Sequence, residues 1–229
     1  MAREIMKISS IVTTCPRKTL YLSRTIESLE AASFSPEVSV DDEKSGSWAN
    51  FRKSLKIMLP MEWDALCIFQ DDIIVSRGLM ELLQVSLWPS PERAIGCVSL
   101  YTAGATDTSR DGWNQIVESK QFYGALAYVL PRQIAIELTE VKPESPTGTD
   151  SIVGQFCVEN GLEYWTHFPS LVQHIGEVSS IDETYGIGDE GSQQRLFRSA
   201  SHFCSDAGDL IESHRKHLGN KSPLAFRNP

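Results

Sequence analysis

Between Leu66 and Ile74 the chain reads Leu66-Cys67-Ile68-Phe69-Gln70-Asp71-Asp72-Ile73-Ile74, an apolar run broken by two adjacent carboxylates. The apolar residues predict a buried strand. Ionised carboxylates inside such a strand are costly unless something pairs with them. A divalent cation carrying phosphate ligands is the usual partner, because hard cations take carboxylate oxygens. The competing reading of Asp-Asp at a strand end is a solvated turn, and the rest of the chain decides between them.

The flanking pattern sets the fold. Ile8–Thr14 is rich in β-branched residues and stops at Cys15-Pro16-Arg17, so it reads as a strand entering a loop. Leu20, Leu22, Ile26 and Leu29 recur at helical spacing through Ala32. Glu37–Val40 is a short strand ending at Asp41-Asp42, and Trp48–Leu59 is a helix stopped by Pro60. The strand before Asp71, a helix over Leu79–Leu87 and a strand over Ile95–Leu100 follow. Strand and helix in alternation predict one α/β domain with a mainly parallel sheet flanked by helices. Ligands of such sheets sit at the carboxyl ends of the strands. Thr13–Arg17, Asp41–Asp42 and Asp71–Asp72 all fall there.

The second half is less regular. Tyr101–Lys120 is polar and reads as a long loop; Phe122–Leu130 reads as a strand and Arg132–Val141 as a helix. Thr149–Asn160 looks like a helix capped by Thr149 or Asp150 and ended by Gly161. Strands over Leu162–His167 and Leu171–Ile175 follow. Ile181–Gln194 holds Gly186, Gly188 and Gly191 near Tyr185 and Arg195, the profile of a lid.

Composition excludes several classes. With 229 residues, 41% apolar and 22% charged, the chain fits one soluble domain, 1–229, with residues 182–229 as lid and extension. A net charge of −9 disfavours a non-specific nucleic-acid binder, although Gly191–Pro229 carries six Lys and Arg against three acids. Cys15, Cys67, Cys97, Cys157 and Cys204 are odd in number and widely spaced, which argues for buried thiols in a reducing compartment. No run of about 18 apolar residues or signal-peptide pattern is present, so the expectation is a cytoplasmic protein without membrane contact.

Three further positions carry candidate chemistry. His174 ends an apolar strand; it is either a nitrogen ligand for a cation or a structural histidine. Asp150 starts a helix; it is either a cap or a general base kept ionised by the positive helix end. Asn50, early in its helix, is a candidate binding residue, whereas Trp48 reads as core.

Taken in order, Ile11–Arg17, Gly46-Ser47-Trp48-Ala49-Asn50, Phe69-Gln70-Asp71-Asp72-Ile73, Thr149-Asp150 and Gln173-His174-Ile175-Gly176 with Ser179-Ser180 resemble the GT-A fold nucleotide-sugar glycosyltransferases. The likeness spans roughly residues 7 to 181. It is nearest to the N-acetylglucosaminyltransferase IV enzymes and compact viral and phage transferases. The resemblance implies that Asp72 ligates Mn²⁺ or Mg²⁺, with His174 completing the site. It implies that Asp71 supports the metal through ribose or metal-bound water, and that Thr13, Arg17 and Asp41 bind the nucleotide of the sugar donor. Asp150 matches the base of inverting members. Gln70 departs from the family, which usually has an acid there, and the resemblance does not carry the ribose contacts or the metal affinity over to it.

The expected function is therefore metal-dependent, inverting transfer of a sugar from a nucleoside diphosphate to a hydroxyl acceptor. The acceptor classes are a glycan precursor, a small molecule or a hydroxymethylated base in viral DNA. Two alternatives stand beside it. A nucleotidyltransferase would normally carry a glycine-rich phosphate loop after the first strand, and Thr13–Lys18 has no glycine. The other is a nucleotide-sugar-binding module that has lost catalysis, against which the intact set of Asp72, Asp150 and His174 counts.

Overall fold

The computed structural model describes residues 6–16, 20–89, 94–102, 111–117, 124–143, 148–176 and 202–218. Within them the order is β1 (Ile8–Thr14), α1 (Tyr21–Ala31), β2 (Glu37–Val40), α2 (Ser47–Met58), β3 (Ala65–Gln70), β4 (Ile73–Val75), α3 (Leu79–Ser86) and β5 (Ile95–Ser99). It continues with β6 (Gly112–Ile116), β7 (Ala127–Pro131), α4 (Arg132–Glu140), α5 (Thr149–Glu159), β8 (Glu163–Phe168), β9 (Val172–His174) and α6 (Gly208–Leu218).

A seven-stranded sheet takes the order β2-β1-β3-β7-β5-β8-β6, and β4 pairs with β9 in a second, two-stranded sheet. Strands β1, β2, β3, β5 and β8 run one way; β6 and β7 oppose them. The α/β fold with a mainly parallel sheet is the one expected from strand-helix alternation.

Side-chain parity builds the two layers over the sheet. Val12, Cys67, Phe69 and Val129 pack with Leu29 of α1, Leu79, Leu82 and Leu83 of α3, and Ile211 of α6. Ile11, Leu66, Ile68 and Tyr128 face the other way, onto Phe51 and Leu55 of α2, Ile134 and Leu138 of α4, and Val153 and Phe156 of α5. Strands buried on both faces read as continuous apolar runs, which is why β3 is so legible.

Four features differ from the sequence expectation. The polar stretch 101–120 contains β6, an edge strand paired only to β8, so it has no apolar run to announce it. The strand expected over Phe122–Leu130 begins only at Ala127, after a turn at Gly124, and residues 122 and 123 lie outside the described residues. Ile73–Val75 is a strand of its own, β4, that leaves the main sheet. The basic C-terminal stretch contains α6, whose Arg215 meets Glu81 of α3 at 2.7 Å. The expected lid, 182–194, lies outside the described residues. Among the described residues no helix is long and apolar enough to cross a membrane.

Candidate functional site

The five co-directional strands all end on one edge of the sheet, at Thr14, Val40, Gln70, Ser99 and Phe168. Opposed strands β6 and β7 begin there. The polar clusters noted after β1, β2 and β3 therefore share one edge, where an open α/β sheet binds its ligands.

The β3–β4 turn is held by α1. The buried Thr25 hydroxyl shares its one proton between the carbonyls of Asp71 (2.9 Å) and Ile73 (2.8 Å) and accepts the Ile73 N–H at 3.1 Å. The one donated and the one accepted bond contribute roughly 1 kcal/mol each and fix the direction in which both carboxylates leave the backbone. Asp71 accepts the Thr14 hydroxyl in a short hydrogen bond, which ties the end of β1 to the end of β3.

Asp72 faces His174. The register of β4 with β9 sets Ile73 opposite His174, and the Ile175 N–H donates to the Asp72 carbonyl at 2.8 Å. The His174 Nε2 stands 3.3 Å from Asp72 Oδ2, with the two side chains only 5% and 8% exposed. Gly176 closes over this pair. A Cβ there would lie 2.6 Å from Asp72 Oδ2 and 2.9 Å from His174 Nε2. A side chain at 176 would thus occupy the space beside one carboxylate oxygen and one imidazole nitrogen. That donor set suits Mn²⁺ or Mg²⁺. Among the described residues no group of three or more His, Cys, Asp and Glu side chains gathers to hold a metal.

The β2 side of the edge is built differently. Asp41 is 4% exposed, and its two oxygens accept the N–H groups of Ser45 (2.8 Å) and Gly46 (3.0 Å). This closes the turn into α2. Asn50 bridges strands: its amide donates to the Thr14 carbonyl at 2.9 Å and accepts the Ser39 hydroxyl at 2.8 Å. Thr13 and Gln70 are register partners at the ends of β1 and β3, both half-buried, and the Thr13 hydroxyl donates to the Phe69 carbonyl at 3.2 Å. Arg17 lies outside the described residues.

Asp150 belongs to the opposite face of the sheet from Asp72. Gly148, not Thr149 or Asp150, occupies the N-cap position of α5, and no side chain caps it. The expected cap is replaced by a reach across the edge. Asp150 Oδ2 accepts the Gly124 N–H at 3.1 Å, while Oδ1 accepts the Ser151 N–H at 2.9 Å. Gly124 has φ +85°, and a Cβ there would fall 2.5 Å from the Tyr101 ring, so only glycine presents this N–H without displacing the ring. Thr149 Oγ1 meets Ser47 Oγ at 3.3 Å, bringing the N-termini of α5 and α2 together. Burial holds the Tyr128 phenol well above its usual value, with Tyr164, Cys97 and the Asp150 carboxylate adding to the effect. A neutral phenol thus backs the acid.

The structure brings together Asp71 with Thr14 and Asp72 with His174. It joins Asp41 and Asn50 to the same edge through backbone groups, and sets Asp150 across the sheet. Sequence reasoning gave no individual role to Thr14, Thr25, Gly124 or Gly176. Thr25 had a signal, since it falls at i+3 from Leu22 and i−4 from Leu29, on the buried stripe of α1. Gly124 had none beyond being glycine, and Gly176 only its place in the Gln173–Gly176 segment.

No protein-family profile matches this chain, and no curated protein matches it in sequence. Solved structures do. It is similar to A197 from STIV, with 12% identity, a TM-score of 0.47, and 72% of this chain and 85% of that one covered. It is also similar to the 4-diphosphocytidyl-2C-methyl-D-erythritol synthase of Anaerococcus prevotii, at 11% identity and TM-score 0.46, covering 72% and 91%. A third is a glycosyltransferase involved in glycosylation of the major capsid of PBCV-1, at 13% identity and TM-score 0.44, covering 75% and 94%. No residue role is carried from them to this chain.

Proposed function

We propose that this chain is a metal-dependent, inverting glycosyltransferase that moves a sugar from a nucleoside-diphosphate donor to a hydroxyl acceptor. The observation that carries the reading is the nearly buried Asp72–His174 pair, set beside the Asp71–Thr14 bond and closed over by a glycine whose Cβ would fill the space at both donor atoms. Asp72 and His174 would hold Mn²⁺ or Mg²⁺, and the donor's phosphates would complete its ligands. When bound, such a cation neutralises the charge of a departing diphosphate without transferring a proton.

The chain's own residues divide the remaining work. Thr14 and Thr25 fix the turn that aims both carboxylates. Thr13, Gln70 and the Asp41 turn line the nucleotide side of the edge, with Arg17 expected beside them. Asp150, steadied by the Gly124 N–H, takes the acceptor hydroxyl's proton. The acceptor oxygen then forms its bond to the anomeric carbon as the bond to the diphosphate breaks, and the diphosphate leaves with the electron pair. One displacement of this kind inverts the centre and needs no covalent enzyme intermediate. The acceptor classes are a glycan precursor, a small molecule or a hydroxymethylated base in viral DNA, reached in the cytoplasm.

Incubation with a panel of sugar nucleotides and Mn²⁺, followed by assay of released phosphates, tests the reading. Metal-dependent release of a nucleoside diphosphate is the expected result. Pyrophosphate released only from a nucleoside triphosphate with a sugar phosphate would overturn it and assign a nucleotidyltransferase.

A further inference from the structure

Asn50 stands behind the sheet edge with its amide turned to the protein's own backbone. It lies near the start of α2 and is 6% exposed. Its Nδ2 donates to the Thr14 carbonyl at 2.9 Å and to the Ser39 carbonyl at 3.4 Å, and its Oδ1 accepts the Ser39 hydroxyl at 2.8 Å. A carbonyl only accepts, so two of them on one side fix which end of the amide carries the nitrogen. Both amide protons are thus committed. The β1–β3 ladder ends at Thr13 opposite Gln70, whereas the β1–β2 ladder runs on to Thr14 opposite Val40. Past the Thr13–Gln70 pairing, the Thr14 carbonyl is held from the β2 side, where it accepts the Asp41 N–H at 2.9 Å together with the Asn50 amide. Two donors fill both lone pairs of that oxygen and fix its direction. Toward β3, Thr14 makes a different tie, from its hydroxyl to Asp71. Carbonyl and hydroxyl belong to one residue, so what fixes the first aims the second.

We infer that Asn50 is a positioning residue of the donor site: by holding the Thr14 carbonyl it sets the Thr14 hydroxyl against Asp71, and it serves nucleotide binding without touching the nucleotide. Direct contact through an amide proton would take that proton from a carbonyl and strand a buried acceptor, which costs more than an ordinary hydrogen bond returns. The Ser39 hydroxyl, on a residue only 1% exposed, orients the amide from the side facing away from any ligand. The chain of contact therefore runs Ser39 to Asn50 to Thr14 to Asp71, and each member is fixed by the one before it. The inference rests on the transferase reading for its ligand.

Calorimetric titration of the full chain with nucleoside diphosphate at saturating Mn²⁺, over a double-variant cycle, tests it. Asn50→Ala and Thr14→Val should each weaken binding about tenfold, and the double variant about tenfold as well, because both remove the same support of Asp71. A loss of about a hundredfold in the double variant, the product of two independent effects, would overturn the inference, since Asn50 would then act on the nucleotide by a route of its own. Wild-type affinity in Asn50→Ala would overturn it too. Should Asn50→Ala fail to fold, Ser39→Ala takes its place, because it removes only the hydroxyl that orients the amide. It should weaken binding about threefold in the wild-type background and leave Thr14→Val unchanged. An equal loss in both backgrounds, or none in either, would overturn the inference. Thermal unfolding of each variant separates positioning from stability, since a bond that serves only the fold lowers Tm and leaves the affinity of the folded protein alone. A wild-type chain that binds no nucleoside diphosphate would end the transferase reading and this inference with it, whereas binding with independent losses ends this inference alone.

Discussion

Two acidic turns follow β2 and β3, the strands that flank β1, on the same sheet edge, and they are built on different plans. After β2, both oxygens of Asp41 accept backbone N–H groups from Ser45 and Gly46, and the turn closes on itself. After β3, the backbone of the turn is held by Thr25 from α1, and the carboxylates go to side chains: Asp71 to the Thr14 hydroxyl, Asp72 to the neighbourhood of His174. The difference is one of division of labour. Where a carboxylate must hold its own turn, its lone pairs go to the backbone. Where a neighbouring helix holds the turn, the carboxylate is placed against other side chains.

The sharpest way to break this contrast is to remove Asp72. Because the turn is carried by Thr25 and by the Ile175 N–H to the Asp72 carbonyl, Asp72→Ala should unfold at nearly the wild-type temperature. Metal-dependent nucleotide binding should disappear, and transfer should fall by about 10²–10³-fold, the scale of losing one preorganised electrostatic contact. Calorimetric titration with nucleoside diphosphate plus Mn²⁺ is the measurement. Wild-type affinity in the variant would end the metal assignment.

The contrast was only half legible in the sequence. The β1–β5 alternation could be read because β3 and β5 are buried on both faces, β1 is rich in β-branched residues, and the helices between them carry apolar stripes. The carboxylates after β2 and β3 looked alike, since a sequence does not say whether a lone pair meets a backbone N–H or a side chain. The decisive residue, Thr25, sits inside a helix 46 positions before Asp71, and its contact arises only when α1 packs on the turn. The β4–β9 pairing that brings His174 to Asp72 joins segments about 100 residues apart. A strand at Leu171–Ile175 was legible, but nothing in three residues names β4 as its partner. β6 escaped for the opposite reason, since an edge strand with one neighbour needs no apolar alternation.

The second test concerns the acid on the other face. Asp150→Asn keeps a side-chain oxygen for the Gly124 or Ser151 N–H, so thermal unfolding should shift little. Proton acceptance is lost, and single-turnover transfer at saturating donor should fall by roughly 10²-fold or more. Donor and metal binding should survive, which separates this variant from Asp72→Ala. Near-normal transfer would reduce Asp150 to a residue that positions Gly124, and would send the search for the base to Asp111, beside the start of β6, and to Asp107, outside the described residues.

The smallest expected effect on turnover falls on Asp41, and it appears instead in stability. Asp41→Ala leaves two N–H groups of a largely buried turn without their acceptor, where bonds to a charged partner are worth about 1.5–3 kcal/mol each and water recovers part of the loss. A net cost of about 2 kcal/mol corresponds to a fall in Tm of roughly 4–8 °C for a chain of this size. Asp41→Asn keeps one acceptor oxygen and should lose about half as much. The Asn variant is the informative one, because it preserves the turn while removing the charge. If Asp41 serves only its turn, Asp41→Asn should bind nucleoside diphosphate within about threefold of wild type, a difference of under 1 kcal/mol. If the carboxylate also contacts the nucleotide, as the family resemblance implies, affinity should fall tenfold or more for the same fall in Tm of roughly 2–4 °C. Scanning calorimetry and nucleotide titration on the same two variants would show whether the two turns differ in kind or only in degree.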